Sequence, residues 1–223
     1  MNPFFYFVLL LLALFILSTA VAQSIGSLVK TLTGSSKLTV ATLAVIFLPG
    51  TIVHEFAHAA VAQGMGVAVG EMKLLPEVEG KYIKMGSVQV GQSDPFRNFL
   101  IGIAPLIVGF VIILLSFKIF DVLGLSGLWP NVVLFYILFQ IGNTMFSSKR
   151  DMEGAVELFA AIFLFCILLY VLGFKSVFAT FFEWSRNLDP FFKLASASLL
   201  KIVALDIVVV LLARLLITPL RSR

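Results

Sequence analysis

The chain has 223 residues, of which 60% are hydrophobic and 13% are charged, and its mean hydropathy is +1.08. Soluble domains carry roughly a quarter charged residues, so this composition excludes an ordinary water-soluble globular protein and indicates a bilayer as the solvent. The net charge of +4 suits lysine and arginine side chains near a membrane surface, and we do not expect nucleic-acid binding. The single cysteine, Cys166, excludes an intrachain disulfide.

The first apolar segment begins at Phe4 and is free of charged residues as far as Ala22. Its small residues Ala20 and Ala22 resemble a signal-peptide cleavage site, but no lysine or arginine precedes the segment. Because the segment also reaches about 20 residues, the length that a bilayer requires, we predict a retained transmembrane helix rather than a cleaved signal peptide.

Six apolar segments each approach the ~20 residues needed to cross a bilayer. The sequence therefore predicts an all-α membrane protein of about six transmembrane helices, forming one polytopic domain over residues 1–223. Between the second and third segments, residues 67–69 and 87–90 look like short strands and predict a small β-sheet or hairpin near the membrane surface. A slight excess of lysine and arginine on the side of the N-terminus favours both termini in the cytoplasm. The predicted spans are residues 3–22, 40–62, 97–118, 131–147, 154–174 and 199–218.

The five residues from His54 to His58 form an H-E-x-x-H motif in the second predicted helix. Residues four apart lie on one face of a helix, so both imidazole rings can bind one metal ion. Glu55 lies beside that metal, where its carboxylate can take a proton from the attacking water and give it to the leaving amine. Because histidine and glutamate are costly at membrane depth and are usually functional there, the motif predicts a catalytic zinc site.

A catalytic zinc site needs a third protein ligand, and the chain has no further histidine. A carboxylate is therefore expected, and Asp151 ranks first because two further crossings after the motif return the chain to the same side of the membrane. Glu153 and Glu157 lie on that side too and are alternatives, and Asp151 also suits an ordinary helix N-cap. Asp121 is expected on the opposite side, and Asp206 within the sixth span.

These features resemble the site-2 protease family of intramembrane zinc metalloproteases. That family carries H-E-x-x-H in one transmembrane helix, and a later helix carries an asparagine with an aspartate eight residues further on, as do Asn143 and Asp151 here. Residues 101–106 resemble the family's Gly-Pro element, with alanine in place of the glycine, and residues 67–90 resemble its small sheet. The resemblance covers roughly residues 40–155, the expected catalytic core.

The resemblance implies a role for each matching residue. His54, His58 and Asp151 would bind Zn²⁺. Glu55 would be the catalytic base, and Asn143 would hydrogen-bond the substrate backbone or the tetrahedral intermediate. A helix–helix hydrogen bond is the alternative role for Asn143. The chain departs from the family between Asn143 and Asp151, where prolines are expected but absent, and after Asp151, where the glycine comes three residues later than expected.

The sequence therefore predicts an intramembrane zinc metalloendopeptidase that cleaves membrane-protein or transmembrane-peptide substrates. We expect a multi-pass protein of a prokaryotic plasma membrane, without a PDZ domain because 223 residues leave no room for one. The first alternative is a zinc-binding membrane protein without protease activity, such as a pseudoprotease or chaperone-like binder. An ion transporter is less favoured, because no paired hydrophobic repeats with matched helix breaks occur. The sequence does not indicate an oligomeric state.

Overall fold

The computed structural model describes residues 2–74, 77–79, 82–84, 86–146 and 155–221. Helices form most of these residues, as the sequence predicts, and four short strands lie between the second and third helices where the sequence predicts two. In chain order the elements are α1 Pro3–Thr33, α2 Ser36–Gly64, β1 Val69–Lys73, β2 Glu77–Glu79, β3 Tyr82–Lys84, β4 Ser87–Val90, α3 Pro95–Val122, α4 Leu128–Thr144, α5 Ala155–Val171, α6 Lys175–Arg186 and α7 Asp189–Arg221.

Among the described residues, three helices are long and apolar enough to cross a membrane, namely α1, α2 and α3. A fourth span results if Ala160–Val171 and Lys175–Phe181 are taken together, although these two segments meet at a bend of 120°. The structure therefore supports a membrane protein, while the predicted number of six transmembrane helices is not confirmed. The bend shows that the fifth predicted span does not continue straight into the next segment.

Helix α1 is longer than the predicted first span. The residues that follow Ala22 continue the helix to Thr33, where Gly34 ends it. The one glycine before that point, Gly26, remains helical and packs against Leu43 of α2. Gly34 ends the helix with a φ of 66°, a left-handed conformation that favours glycine, and its N–H donates to the carbonyl of Lys30.

The predicted small sheet is confirmed between α2 and α3. Strands β1 and β4 pair antiparallel, with Val69 opposite Val90 and Lys73 opposite Ser87, and β2 and β3 form a second antiparallel pair. The first strand begins at Val69, later than predicted. Asp94 then caps α3, and because its side chain accepts hydrogen bonds from the N–H groups of Arg97 and Phe96, the pKa of Asp94 is held below its ordinary value.

Helices α1 and α7 pack side by side in the same direction. Their shared contacts advance together along both helices, so the C-terminal end of α7 lies beside the C-terminal end of α1. The start of α1 and the end of α7 consequently lie at opposite ends of this helix pair, and the expectation that both termini face the cytoplasm is not confirmed. The ring of Phe4 contacts the ring of Phe192. Further along, Leu14 and Val203 belong to one core cluster, and Val21 and Val210 belong to a second.

Candidate metal centre

The two histidines of the motif lie side by side on α2, and each is held by a backbone carbonyl of a different helix. His54 Nδ1 lies 2.6 Å from the carbonyl oxygen of Thr144 in α4, and His58 Nδ1 lies 2.7 Å from the carbonyl oxygen of Ile101 in α3. A carbonyl oxygen only accepts hydrogen bonds, so the proton of each ring must reside on Nδ1. The remaining ring nitrogens, both Nε2, lie 3.2 Å apart.

This geometry fits two ligands of one metal ion. With both Nδ1 atoms hydrogen-bonded to carbonyls, the two Nε2 atoms face each other at a distance that either a proton on one ring or a shared metal ion can bridge. A tetrahedral zinc with Zn–N bonds of about 2.05 Å separates two ligand nitrogens by about 3.3 Å. The observed 3.2 Å agrees with that value, and hydrogen bonds from Nδ1 to carbonyls are the usual way in which histidine ligands are oriented.

The carbonyl that holds His58 is available because of a proline. Ile101 lies four residues before Pro105 in α3, and its carbonyl would bond the N–H of residue 105 in a regular helix. Proline has no N–H, so the Ile101 carbonyl lacks an intrahelical donor and can accept from His58 Nδ1 instead. This gives a physical role to the 101–106 element that the sequence singles out.

The carbonyl that holds His54 is available because α4 ends there. Thr144 is the last residue of α4, and the final carbonyls of a helix have no intrahelical partner. Helix α2 reaches this end because Gly50 lies one turn before His54: a Cβ atom at Gly50 would lie 2.7 Å from the carbonyl oxygen of Gln140 and 2.8 Å from Thr144 Cγ2. The side chain of Gln140 also donates to the carbonyl of Ile46 and ties the two helices together.

Glu55 is buried against the small sheet. Its side chain is 6% exposed, and a Cβ atom at Gly86 would lie 3.0 Å from Glu55 Oε1 and 2.7 Å from Thr51 Cγ2. Gly86 immediately precedes β4, so the absence of a side chain there allows the start of that strand to approach the carboxylate. The carboxylate of the motif glutamate therefore lies close to the start of β4.

Asn143 makes the helix–helix hydrogen bond that the sequence leaves as its alternative role. Its Nδ2 donates to Asp206 Oδ1 of α7 at 2.8 Å and to the carbonyl of Phe139 at 3.0 Å. Asp206 is fully buried, and within the described part of the chain neither Asn143 Oδ1 nor Asp206 Oδ2 has a hydrogen-bond partner. A substrate-binding role for Asn143 stays a prediction. Sequence reasoning missed Asp206 as its partner, although an aspartate within an apolar span signals function or pairing.

The described residues include two of the three predicted metal ligands. Asp151, Glu153 and the rest of residues 147–154 lie outside the described residues, as does the side chain of Glu157. Within the described ranges, no group of three or more histidine, cysteine, aspartate or glutamate side chains is close enough to hold a metal ion. The structure thus brings His54, His58 and Glu55 together and leaves the role of Asp151 a prediction.

Comparison with known proteins does not extend this description. No protein-family model, curated protein or solved structure matches the chain. The similarity to the site-2 protease family therefore rests on the motifs alone.

Proposed function

We propose that this protein is an intramembrane zinc metalloendopeptidase. The observation that carries the proposal is the pair of Nε2 atoms 3.2 Å apart, each on a ring whose Nδ1 is committed to a backbone carbonyl. A hydrogen bond between two structural histidines would give the same distance, but the 3.2 Å separation also matches two ligands of one tetrahedral zinc. The neighbouring Glu55 adds the base that a purely structural metal site does not need.

The zinc would be held by His54 and His58, with Asp151 as the proposed third ligand. When bound, the ion supplies Lewis acidity that polarises a peptide carbonyl and lowers the pKa of water. Asp151 lies seven residues after Thr144, and seven extended residues span at most about 25 Å, so its carboxylate can return to the histidines from the end of α4.

Glu55 would accept the proton of the attacking water on its carboxylate and later deliver it to the leaving amine. Its burial beside Thr51 and Gly86 limits bulk water at the carboxylate, which strengthens its interaction with charge that develops during the reaction. His54 and His58 keep their orientation throughout, because their Nδ1–H groups stay hydrogen-bonded to the carbonyl oxygens of α4 and α3.

The substrate class follows from where the site lies. His54 is 18 residues into α2, about 27 Å from the start of that helix and about 15 Å from its end at Gly64, so the histidine pair lies within the span. A substrate that reaches this depth is itself in the membrane. Its helical carbonyls must first be exposed, and pairing with an edge of the β1–β4 sheet could hold the unwound segment beside Glu55.

The proposal is tested with purified wild-type protein and the Glu55→Gln variant in liposomes that contain a panel of single-span model substrates. We expect cleavage by the wild type, a loss of at least a hundredfold in the variant, and equal zinc content in both. His54→Ala should lose both zinc and cleavage. Zinc bound equally by wild type and Glu55→Gln, with no cleavage of any substrate by the wild type, would instead support a zinc-binding protein without protease activity.

A further inference from the structure

An open cleft with some polar side chains lies between α1 and α7, away from the histidine pair. Its volume is about 500 Å³, and it lies where the two parallel helices approach their C-terminal ends. No acidic side chain is among the described residues that line it. These residues are Gln23, Ser24, Ser27, Arg214, Ile217 and Thr218.

The lining of the cleft is chemically suited to an anion. Arg214 presents a guanidinium group with a fixed fork of N–H donors, and Ser24 and Ser27 add hydroxyl groups from the facing helix. The hydroxyl of Thr218 already donates to the carbonyl of Arg214, so that side chain contributes packing rather than a free proton. A guanidinium beside hydroxyl donors is the usual arrangement for phosphate, whose oxygens accept several hydrogen bonds at once.

The depth of the cleft points to the source of that phosphate. In α1, the residues from Pro3 to Ala22 include no charged or amide side chain and form about 30 Å of helix, close to the thickness of the hydrocarbon core. Gln23 is the next residue, so the cleft opens at the level of the lipid headgroups. Because α7 runs parallel to α1, Arg214 reaches the same level.

We propose that this cleft binds the phosphate of an anionic lipid headgroup. The ligand would hold α1 and α7 together at the end of their contact and would not take part in the chemistry at His54 and His58. The site is independent of the proposed protease activity, and its test does not require a substrate.

The test measures lipid binding to the purified full-length chain in a neutral detergent, by native mass spectrometry and by thermal unfolding. Phosphatidylglycerol, phosphatidylcholine and inorganic phosphate are the three probes. We expect the wild type to bind phosphatidylglycerol most tightly, and Arg214→Gln to bind it on the order of tenfold more weakly. Lys30→Gln is the matched control, because Lys30 is an exposed cation near the same end of α1 that does not line the cleft.

The outcomes separate the alternatives. Equal affinity of wild type and Arg214→Gln for phosphatidylglycerol would overturn the site, as would an equal loss in Lys30→Gln, which would show general charge attraction only. Binding of inorganic phosphate without phosphatidylglycerol would overturn the lipid assignment. If Arg214→Gln fails to fold, Ser27→Val provides the second variant, since it removes a hydroxyl donor from the cleft without changing charge, and unchanged lipid affinity in that variant would also contradict the proposal.

Discussion

Pro105 and His58 are connected through one backbone carbonyl. Proline at position 105 removes the N–H that would occupy the Ile101 carbonyl, and that carbonyl lies 2.7 Å from His58 Nδ1. A residue that usually disturbs helices thus orients a predicted metal ligand on another helix. The arrangement suggests that the histidine pair is set by the surrounding helices before any metal binds.

Pro105→Ala is expected to weaken zinc binding. Alanine restores an N–H that competes with His58 for the Ile101 carbonyl, and loss of such an orienting bond commonly costs 10- to 100-fold in metal affinity. We expect about a tenfold loss, measured by competition with a zinc chelator. Pro95→Ala is the control, because Pro95 is at the first position of α3, where a missing N–H has no helical partner to lose. Equal affinity in the two variants would contradict this role of Pro105.

Gly50→Ala is expected to separate α2 from α4. The added methyl group would lie 2.7 Å from the Gln140 carbonyl oxygen, and backbone atoms cannot move aside as a flexible side chain can. The Thr144 carbonyl would move away from His54, so both thermal stability and zinc affinity should fall, the stability by roughly 1–3 kcal/mol. Gly64→Ala, at the end of the same helix with open space around it, should leave both unchanged. A normal zinc affinity in Gly50→Ala would show that the close helix approach does not hold His54.

Gly86→Ala should separate activity from metal binding. A methyl group at this position meets the Glu55 carboxylate at 3.0 Å and Thr51 Cγ2 at 2.7 Å, which would displace either the start of β4 or the glutamate. We expect cleavage of a membrane substrate to fall at least tenfold. Zinc affinity should stay within a factor of two, because the carbonyls that hold the two histidines belong to α3 and α4 and not to β4. Gly91→Ala is the matched control just after the other end of β4, where the added atom makes only ordinary contacts of 3.4 Å or more. Equal activity of both variants would show that the position of β4 beside Glu55 does not affect cleavage.

Asp206→Leu is expected to destabilise the α4–α7 contact. It leaves the buried Asn143 amide without its acceptor on α7, a loss that typically costs about 1–3 kcal/mol. Because Asn143 precedes Thr144, zinc affinity should fall together with the thermal unfolding temperature. Asp206→Asn retains an acceptor oxygen and should largely restore both. Ser198→Ala changes a buried α7 hydroxyl that bonds only its own helix, at Leu194, and should have little effect on zinc affinity.

The sequence predicts some parts of this molecule better than others, for physical reasons. The motif residues are predictable because a spacing of four on a helix fixes a shared face, whatever the rest of the fold. The Ile101 carbonyl could also have been predicted to be free, since Pro105 follows it by four residues. What the sequence could not give is which side chain that carbonyl would meet, because this depends on the packing of α2 against α3.

The direction of α7 illustrates the other limit. Hydropathy marks residues 199–218 as apolar but carries no information on whether α7 runs with or against α1. Counting each apolar segment as one straight crossing gave termini on the same side, whereas the Phe4–Phe192 and Val21–Val210 associations show parallel helices. The Asn143–Asp206 hydrogen bond could not be predicted either, since the two residues are 63 positions apart in the chain and meet only through the packing of α4 against α7.

The central claim is that His54 and His58 bind one zinc ion through Nε2. X-ray absorption at the zinc edge of the purified wild-type protein tests it most directly, alongside zinc content in the His54→Ala and His58→Ala variants. The account predicts one zinc per chain with two nitrogen ligands at about 2.0–2.1 Å, and loss of that zinc in each variant. A wild-type protein that binds no zinc, or one whose zinc persists in both variants, would contradict it.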